Sequence, residues 1–141
     1  MAGKHLKKCV MELGGLDCFI VREHADIDLA VKLAVQSRGQ NAGQVCIAAK
    51  RFIVHDSLYD IFVENVVKAL KSIRIGDPLD MATELGPLAR LDLLEKFQHQ
   101  LSEAVRQGGK MVFGGGRVLE FKNGNFVYPA VMEVAPDNLA F

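Results

Sequence analysis

The fold of this chain is set by residues 18–54, CFIVREHADIDLAVKLAVQSRGQNAGQVCIAAKRFIV. The segment begins with the apolar run Cys18–Val21 and ends with a second one, Arg51–Val54, and each run predicts a short β-strand. Between them, Asp26 is a plausible N-cap, and apolar residues recur at helical spacing through about Arg38. A strand, a helix and a second strand in succession predict a parallel sheet with a crossover helix, and therefore an α/β fold.

The same alternation continues outward on both sides of this segment. Upstream, residues 9–13 predict another short strand, closed by two glycines. Within the segment, residues 39–44 contain two glycines and an asparagine and predict a loop. Downstream, we expect Ser57 to cap a helix that stops at residues 76–78, and an extended loop to reach Pro87.

The last third of the chain predicts one more helix and two more strands. The helix should run from about residue 89 to residue 107, where two glycines break it, with an inward face made of Leu91, Leu94, Leu101 and Val105. Residues 110–113 predict a strand before a turn of three glycines. Residues 126–134 predict a final strand pair or edge segment, interrupted at Pro129.

Composition narrows the class of protein. The 141 residues are 50% hydrophobic and 24% charged, which is typical of one globular domain. Seventeen basic and seventeen acidic residues give a net charge of +0, so the chain has no net charge that would attract it electrostatically to nucleic acid or to a membrane. Three cysteines without CxxC spacing and four scattered histidines argue against a disulfide framework and a metal site. With no apolar run of membrane-spanning length and no secretory signal, the expected compartment is the cytoplasm.

Two short motifs carry the candidate chemistry. MELGG at residues 11–15 contains Glu12, and NAGQVC at residues 41–46 contains Cys46, and each motif lies where the predicted regular structure breaks. A thiolate is a good nucleophile, and a positioned carboxylate can act as a base. Taken alone, however, a cysteine is more often a small buried hydrophobic residue, and a glutamate before two glycines is most often a charge that faces water.

Together the two motifs resemble the signature segments of the aldehyde dehydrogenase superfamily, in the family's order and at its spacing. The stretch from Cys46 to Val54 most resembles the bacterial succinate-semialdehyde dehydrogenase branch. The resemblance implies a parallel-sheet catalytic domain of aldehyde dehydrogenase type with crossover helices. It continues through AKRFIV at residues 49–54, YDIF at 59–62, GDP at 76–78, GPL at 86–88 and YP at 128–129.

The resemblance also implies a reaction, the NAD(P)-dependent oxidation of a small-molecule aldehyde, with succinic semialdehyde as one candidate, to a carboxylic acid. Cys46 would be the nucleophile that forms a thiohemiacetal and then a thioester, and Glu12 would be the general base that activates water. The backbone N–H of Cys46 would be one oxyanion donor, with an Asn amide of a preceding domain as the second. Leu13 would lie against the nicotinamide of NAD or NADP, and Asn41 would shape the loop.

Two residues depart from the family's pattern beside the glutamate motif. Leu16 stands where the family often has a lysine, and Cys18 stands where proline is common. We interpret Cys18 as a buried strand residue rather than as a reactive thiol. Neither departure touches Glu12 or Cys46.

Family members are roughly three times as long as this chain and have a dinucleotide-binding domain before the glutamate motif. The resemblance therefore implies that residues 1–13 are the end of such a domain, that residues 14–141 are part of the catalytic domain, and that the domain is truncated at both ends. Most of the cofactor site would lie outside the chain, and the full-length family suggests a homo-oligomer. We accordingly expect the isolated chain to be inactive.

Two alternatives stay open. The chain could be a folded but catalytically silent piece that acts only in interactions or structure. It could also be a thiol hydrolase or acyl transferase that pairs Cys46 with a histidine. No histidine lies in a recognisable signature for that pairing.

Overall fold

The computed structural model describes residues 1–121 and 123–138. Two short 3₁₀ helices, Ala2–His5 and Gln40–Gly43, lie in this part of the chain. Its strands and α-helices are, in chain order, β1 (Cys18–Val21), α1 (Ile27–Gly39), β2 (Arg51–Val54), α2 (Asp56–Ser72), α3 (Leu91–Arg106), β3 (Lys110–Phe113) and β4 (Val131–Glu133).

The predicted strand–helix–strand unit is confirmed. Strands β1 and β2 pair in parallel, with Phe19 opposite Phe52, and α1 forms the crossover between them. The helix begins where the sequence predicts, because the Asp26 side chain accepts a hydrogen bond of 3.0 Å from the Leu29 N–H. The core of this unit joins β1, α1 and α2 through the buried side chains of Val21, Ala30, Ala34 and Phe62.

The second strand pair departs from the predicted parallel arrangement. Strands β3 and β4 are antiparallel, with Lys110 opposite Glu133 and a register shift between Met111 and Phe113. The connection between them contains no crossover helix, and such a connection returns the chain antiparallel to itself. It starts at a glycine turn, as predicted, where Gly114 and Gly115 adopt φ angles of 72° and 83° that favour glycine.

The predicted strand at residues 9–13 is also wrong. Residues 7–17 have no regular structure, and every side chain from position 7 to position 13 is exposed. A strand needs a neighbouring strand to receive its N–H and C=O groups, and among the described residues no strand pairs with this segment. Cys18, predicted to be buried, is exposed as well, because the described residues cover only the face of β1 to which Val21 points.

Both later helices differ in detail from their predictions. Helix α2 begins before Ser57, with His55 as its N-cap, because the His55 ring accepts a hydrogen bond of 3.3 Å from the Ser57 N–H. The same helix ends at Ser72 rather than at residues 76–78, because the backbone is already extended at Ile73.

Only two of the four residues predicted to form the inward face of α3 are buried. Leu94 and Leu101 are buried, whereas Leu91 and Val105 expose 51% and 49% of their surfaces. The chain folds back over Ala104, whose carbonyl accepts a hydrogen bond of 2.8 Å from the Gly109 N–H. The returning chain therefore buries the side chain of Ala104 and leaves the side chain of Val105 half exposed to solvent.

The chain exposes more surface than a compact protein of its mass. Its accessible area is 10199 Å², whereas a compact monomer of 15.5 kDa would expose about 7,200 Å². Large apolar side chains account for part of the excess, among them Met11 (70%), Leu13 (70%), Ile20 (65%), Ile47 (66%) and Ile53 (55%). These five residues lie in or next to residues 11–15, β1, β2 and residues 41–46, and others, such as Leu79 (89%) and Met81 (99%), lie elsewhere in the chain.

Candidate active site

Cys46 lies on an exposed turn that leads from the 3₁₀ helix Gln40–Gly43 into β2. The turn closes through a hydrogen bond of 3.2 Å from the Ala48 N–H to the Val45 carbonyl. Cys46 itself is exposed, while Ala48 and Ala49 behind it are buried and anchor the turn to the protein. A substrate can therefore reach the thiol from solvent.

The loop before Cys46 has an unusual backbone. Asn41, Ala42 and Gly43 all adopt left-handed φ angles, of 50°, 55° and 75°. Such conformations cost of order 1–3 kcal/mol for a residue other than glycine and persist only where the surroundings impose them. The predicted loop is thus a tight 3₁₀ turn that Asn41 shapes through its backbone, and the Asn41 carbonyl accepts the N–H and the side-chain amide of Gln44, each at 3.1 Å.

Helix α1 and the following loop hold this conformation in place. The Arg38 guanidinium donates to the Gly43 carbonyl at 3.4 Å and fills the space that a side chain at position 43 would need. Burial lowers the pKa of Arg38 from its usual value, since a charged form loses solvation there. Ser37 accepts a hydrogen bond of 3.1 Å from the Ala49 N–H, and the Gln44 side chain accepts one of 3.0 Å from the Ala89 N–H.

Lys50 is a further residue of the site, and the sequence analysis missed it. Its ammonium group donates to three carbonyls of the cysteine turn, those of Val45 (3.3 Å), Cys46 (3.2 Å) and Ala48 (3.0 Å). An ammonium has three donors and no acceptor, so all three can be used at once. In the sequence, the only sign of this role is a basic residue directly after the buried pair of alanines.

The glutamate segment, residues 11–17, lies beside the cysteine turn, residues 45–48. A Cβ atom added to Gly15 would be 3.0 Å from the Cys46 carbonyl oxygen, so the two backbones are in close contact. The Asp17 carbonyl accepts hydrogen bonds from the N–H groups of Lys50 (3.3 Å) and Arg51 (3.5 Å), and the Arg51 side chain donates to the Leu16 carbonyl at 3.1 Å. These bonds join the residues that directly follow the glutamate motif to the residues that connect Cys46 with β2.

Glu12 itself is exposed and lies three residues before Gly15. Three residues of extended chain reach about 10–11 Å, so Glu12 lies in the neighbourhood of the cysteine turn. Within residues 1–121 and 123–138, its carboxylate accepts no hydrogen bond. The structure thus brings the two segments together and leaves the carboxylate free in solvent.

The surface next to Glu12 offers one wall for a cofactor. Leu13 exposes 70% of its surface, and nothing lies within 4 Å of a Cβ atom added to Gly14, so a flat ring could rest against this backbone. In the described part of the chain, no group of three His, Cys, Asp or Glu side chains could hold a metal ion. No helix there is long and apolar enough to cross a membrane.

Gly15→Ala tests the contact between the two segments. The added methyl group must displace the Cys46 carbonyl, so we expect unfolding in urea to show a loss of about 1–3 kcal/mol in stability. Gly14→Ala is the matched control, because that methyl group would enter open space and should leave the stability unchanged or slightly higher. Equal stabilities of the two variants would mean that Gly15 does not touch the turn.

Comparisons with known proteins agree on one family. The whole chain, residues 1–141, matches the sequence model of the aldehyde dehydrogenase family. The chain is 46% identical to succinate semialdehyde dehydrogenase [NAD(P)+] Sad of Escherichia coli, over 99% of this chain and 30% of that protein. It is 45% identical to succinate-semialdehyde dehydrogenase [NADP(+)] of Deinococcus radiodurans, over 100% of this chain and 29% of that protein.

The fold matches solved structures as well. A succinate-semialdehyde dehydrogenase from Burkholderia pseudomallei superposes with a TM-score of 0.88 at 33% identity, over 99% of this chain and 29% of that chain. The succinate-semialdehyde dehydrogenase resemblance is thereby confirmed. The chain spans about 30% of the length of the relatives it matches.

Proposed function

We propose, from the premise that this chain belongs to the aldehyde dehydrogenase family, that it supplies the nucleophile and the general base for oxidising an aldehyde to a carboxylic acid. The nucleophile is Cys46 and the base is Glu12. One observation carries the proposal. Gly15 is in close contact with the Cys46 carbonyl, and this contact joins the glutamate segment to the cysteine turn. The division of the chain at residues 13 and 14 stays a prediction.

The first step needs an accessible thiol and a donor for negative charge. The Cys46 thiol gives its proton to water, its sulfur attacks the aldehyde carbon, and the carbonyl oxygen becomes an oxyanion. The Cys46 N–H has no acceptor among residues 1–121 and 123–138, so this donor is available to stabilise the oxyanion. The product of this step is a thiohemiacetal on Cys46.

The second step removes a hydride and belongs to a bound cofactor. A bound NAD or NADP would supply the hydride acceptor for this oxidation, and Cys46 would then hold the oxidised product as a thioester. We assign Leu13 to the nicotinamide because the family resemblance implies it, and its exposure of 70% beside Glu12 supports the assignment. The other groups that bind the cofactor are not assigned to this chain.

The third step hydrolyses the thioester. The Glu12 carboxylate takes a proton from water, the water oxygen attacks the thioester carbon, and the carbon–sulfur bond breaks to release the acid, while the proton on Glu12 returns to the Cys46 sulfur. Exposure of Glu12 supports this role, since water reaches the carboxylate freely. We propose succinic semialdehyde as the substrate because the relatives described above carry its name. A homo-oligomeric state stays a prediction.

A charge-removing variant of the base tests the third step. The suitable protein is a chimera in which residues 1–141 replace the matching segment of the Escherichia coli relative. In the chimera, Glu12→Gln keeps the size of the side chain but cannot accept the proton. We expect a burst of reduced cofactor at 340 nm, followed by steady-state turnover that is lower by on the order of a hundredfold or more, the usual scale of acid–base catalysis.

Glu23→Gln is the matched control, because Glu23 is exposed at the end of β1 and lies outside both motifs. It should leave the burst and the steady state unchanged. Steady-state turnover of the Glu12 variant at the unmodified rate would show that another group is the base.

A second candidate function has one observation in its favour. The excess accessible surface and the exposed apolar side chains around the cysteine turn suit a folded piece that acts in interactions without catalysis. A chimera that expresses, folds and shows no turnover with any aldehyde would favour this alternative.

A further inference from the structure

Lys50 lies outside both sequence motifs, yet it makes more hydrogen bonds to the cysteine turn than any other described side chain. Its ammonium group is within 3.3 Å of three carbonyl oxygens and has no carboxylate partner in the described part of the chain. A lysine at a surface normally keeps its charge in water. Here the charge is directed at the backbone that carries Cys46.

The bond to the Val45 carbonyl has a specific geometric effect. The Val45 carbonyl and the Cys46 N–H belong to the same peptide group, and the structure has no cis peptide bond. In a planar trans peptide, C=O and N–H point in opposite directions. Lys50 and the Ala48 N–H both bind the Val45 carbonyl, so the Cys46 N–H, on the other side of the same peptide group, points away from both of these donors.

The positive charge also acts on the strength of this donor. A cation bound to a carbonyl polarises the peptide group, and hydrogen bonds along such a chain strengthen one another. The same ammonium binds the carbonyls of Val45 and Cys46, so the peptide groups on both sides of the Cys46 Cα are held in place. A preorganised donor of this kind needs no reorganisation when charge develops on a substrate oxygen.

We propose that Lys50 is a positioning residue that directs the backbone N–H of Cys46 at the oxyanion formed when Cys46 attacks a carbonyl. The proposal rests on the function proposed above, in which Cys46 is the nucleophile. The hydrogen bonds of the Lys50 ammonium all go to backbone carbonyls and none goes to the Cys46 sulfur. Lys50 acts through the peptide group between Val45 and Cys46.

Two reagents separate this role from general support of the turn, and both can be used on the chain as it stands. Acetyl transfer from 4-nitrophenyl acetate forms a bond between the Cys46 sulfur and the acyl carbon through an oxyanion. It breaks the bond to 4-nitrophenolate, which is read at 400 nm, and the thiol proton goes to water. Alkylation by iodoacetamide displaces iodide from a saturated carbon and forms no oxyanion. Neither reaction needs a cofactor.

We expect Lys50→Met to lower the ratio of the acylation rate to the alkylation rate of Cys46 by about tenfold. Complete removal of one oxyanion donor typically lowers kcat by about 10²–10³-fold, and a donor that is only misdirected keeps part of its effect. Lys50→Arg keeps a positive donor and should restore a large part of the ratio. Lys32→Met is the matched control, because Lys32 is an exposed lysine on α1 outside the cysteine turn, and it should not change the ratio.

If Lys50→Met loses its helical circular dichroism, Lys50→Gln gives the same comparison with a shorter neutral side chain. An unchanged ratio in whichever of these variants is folded would overturn the role of Lys50. Peptide mass spectrometry identifies the acetylated cysteine. Acetyl on Cys9 or Cys18 instead of Cys46 would overturn both this proposal and the proposed function, whereas acetyl on Cys46 with an unchanged ratio would overturn only the role of Lys50.

Discussion

Cys46→Ala is expected to abolish aldehyde oxidation by the chimera. Without the sulfur no thiohemiacetal forms, so neither hydride removal nor thioester hydrolysis has a substrate. Removal of a catalytic nucleophile can lower kcat by a factor on the order of 10⁶. We therefore expect the turnover of Cys46→Ala to fall below detection in a 340 nm assay.

The other two cysteines supply matched controls, since Cys9 and Cys18 are exposed like Cys46. Cys9→Ala and Cys18→Ala should keep most of the turnover. Iodoacetamide should label Cys46 faster than either of them, and because all three thiols are accessible, the difference would report chemical environment. Turnover of Cys46→Ala at the unmodified rate would refute the mechanism.

The isolated chain is expected not to oxidise aldehydes at an enzyme-like rate. In the described residues, the surface assigned to the nicotinamide is the single exposed wall at Leu13, which cannot by itself hold a dinucleotide against the thiohemiacetal. Loss of positioning can raise a barrier by roughly 7–11 kcal/mol. With the Cys46 N–H as the sole oxyanion donor, the lack of a second donor would raise the activation free energy by about 3–4 kcal/mol more.

The assay uses the purified chain, millimolar NAD or NADP, and a panel of aldehydes that includes succinic semialdehyde. The chimera serves as the positive control, because it contains the same 141 residues. Sustained turnover near about 1 s⁻¹, the low end of typical enzymes, would mean that the chain completes its own site. The exposed apolar side chains should also make the isolated chain associate, which light scattering would detect.

The elements around residues 18–54 were predictable because their signals are local. Strands β1 and β2 match their predicted bounds, and Asp26 caps α1 as expected, since a cap needs only its own helix. Errors arose where a distant partner decides the outcome. Residues 9–13 have the composition of a strand but pair with no described strand, and Val105 has the spacing of a core residue but lies where the chain folds back.

In the candidate site as well, local features could be predicted from the sequence and contacts between distant residues could not. Glu12 and Cys46 could be chosen from the sequence because their motifs are contiguous and resemble those of a known family. The contact of Gly15 with the Cys46 carbonyl joins segments far apart in the chain, so no local pattern contains it. Lys50 could not be chosen, because a lysine after two alanines has no distinctive signal until the turn folds back over its ammonium group.

Local chemistry in the sequence thus determined which residues form the strand–helix–strand unit and which two side chains can carry the reaction. Tertiary structure alone decided which surfaces are covered, where β3 and β4 run antiparallel, and which backbone groups Lys50 holds. The physical reason is the range of the interactions. Capping and helical or strand periodicity act over a few residues, whereas burial, strand pairing and hydrogen bonds to carbonyls depend on groups that only the folded chain brings together.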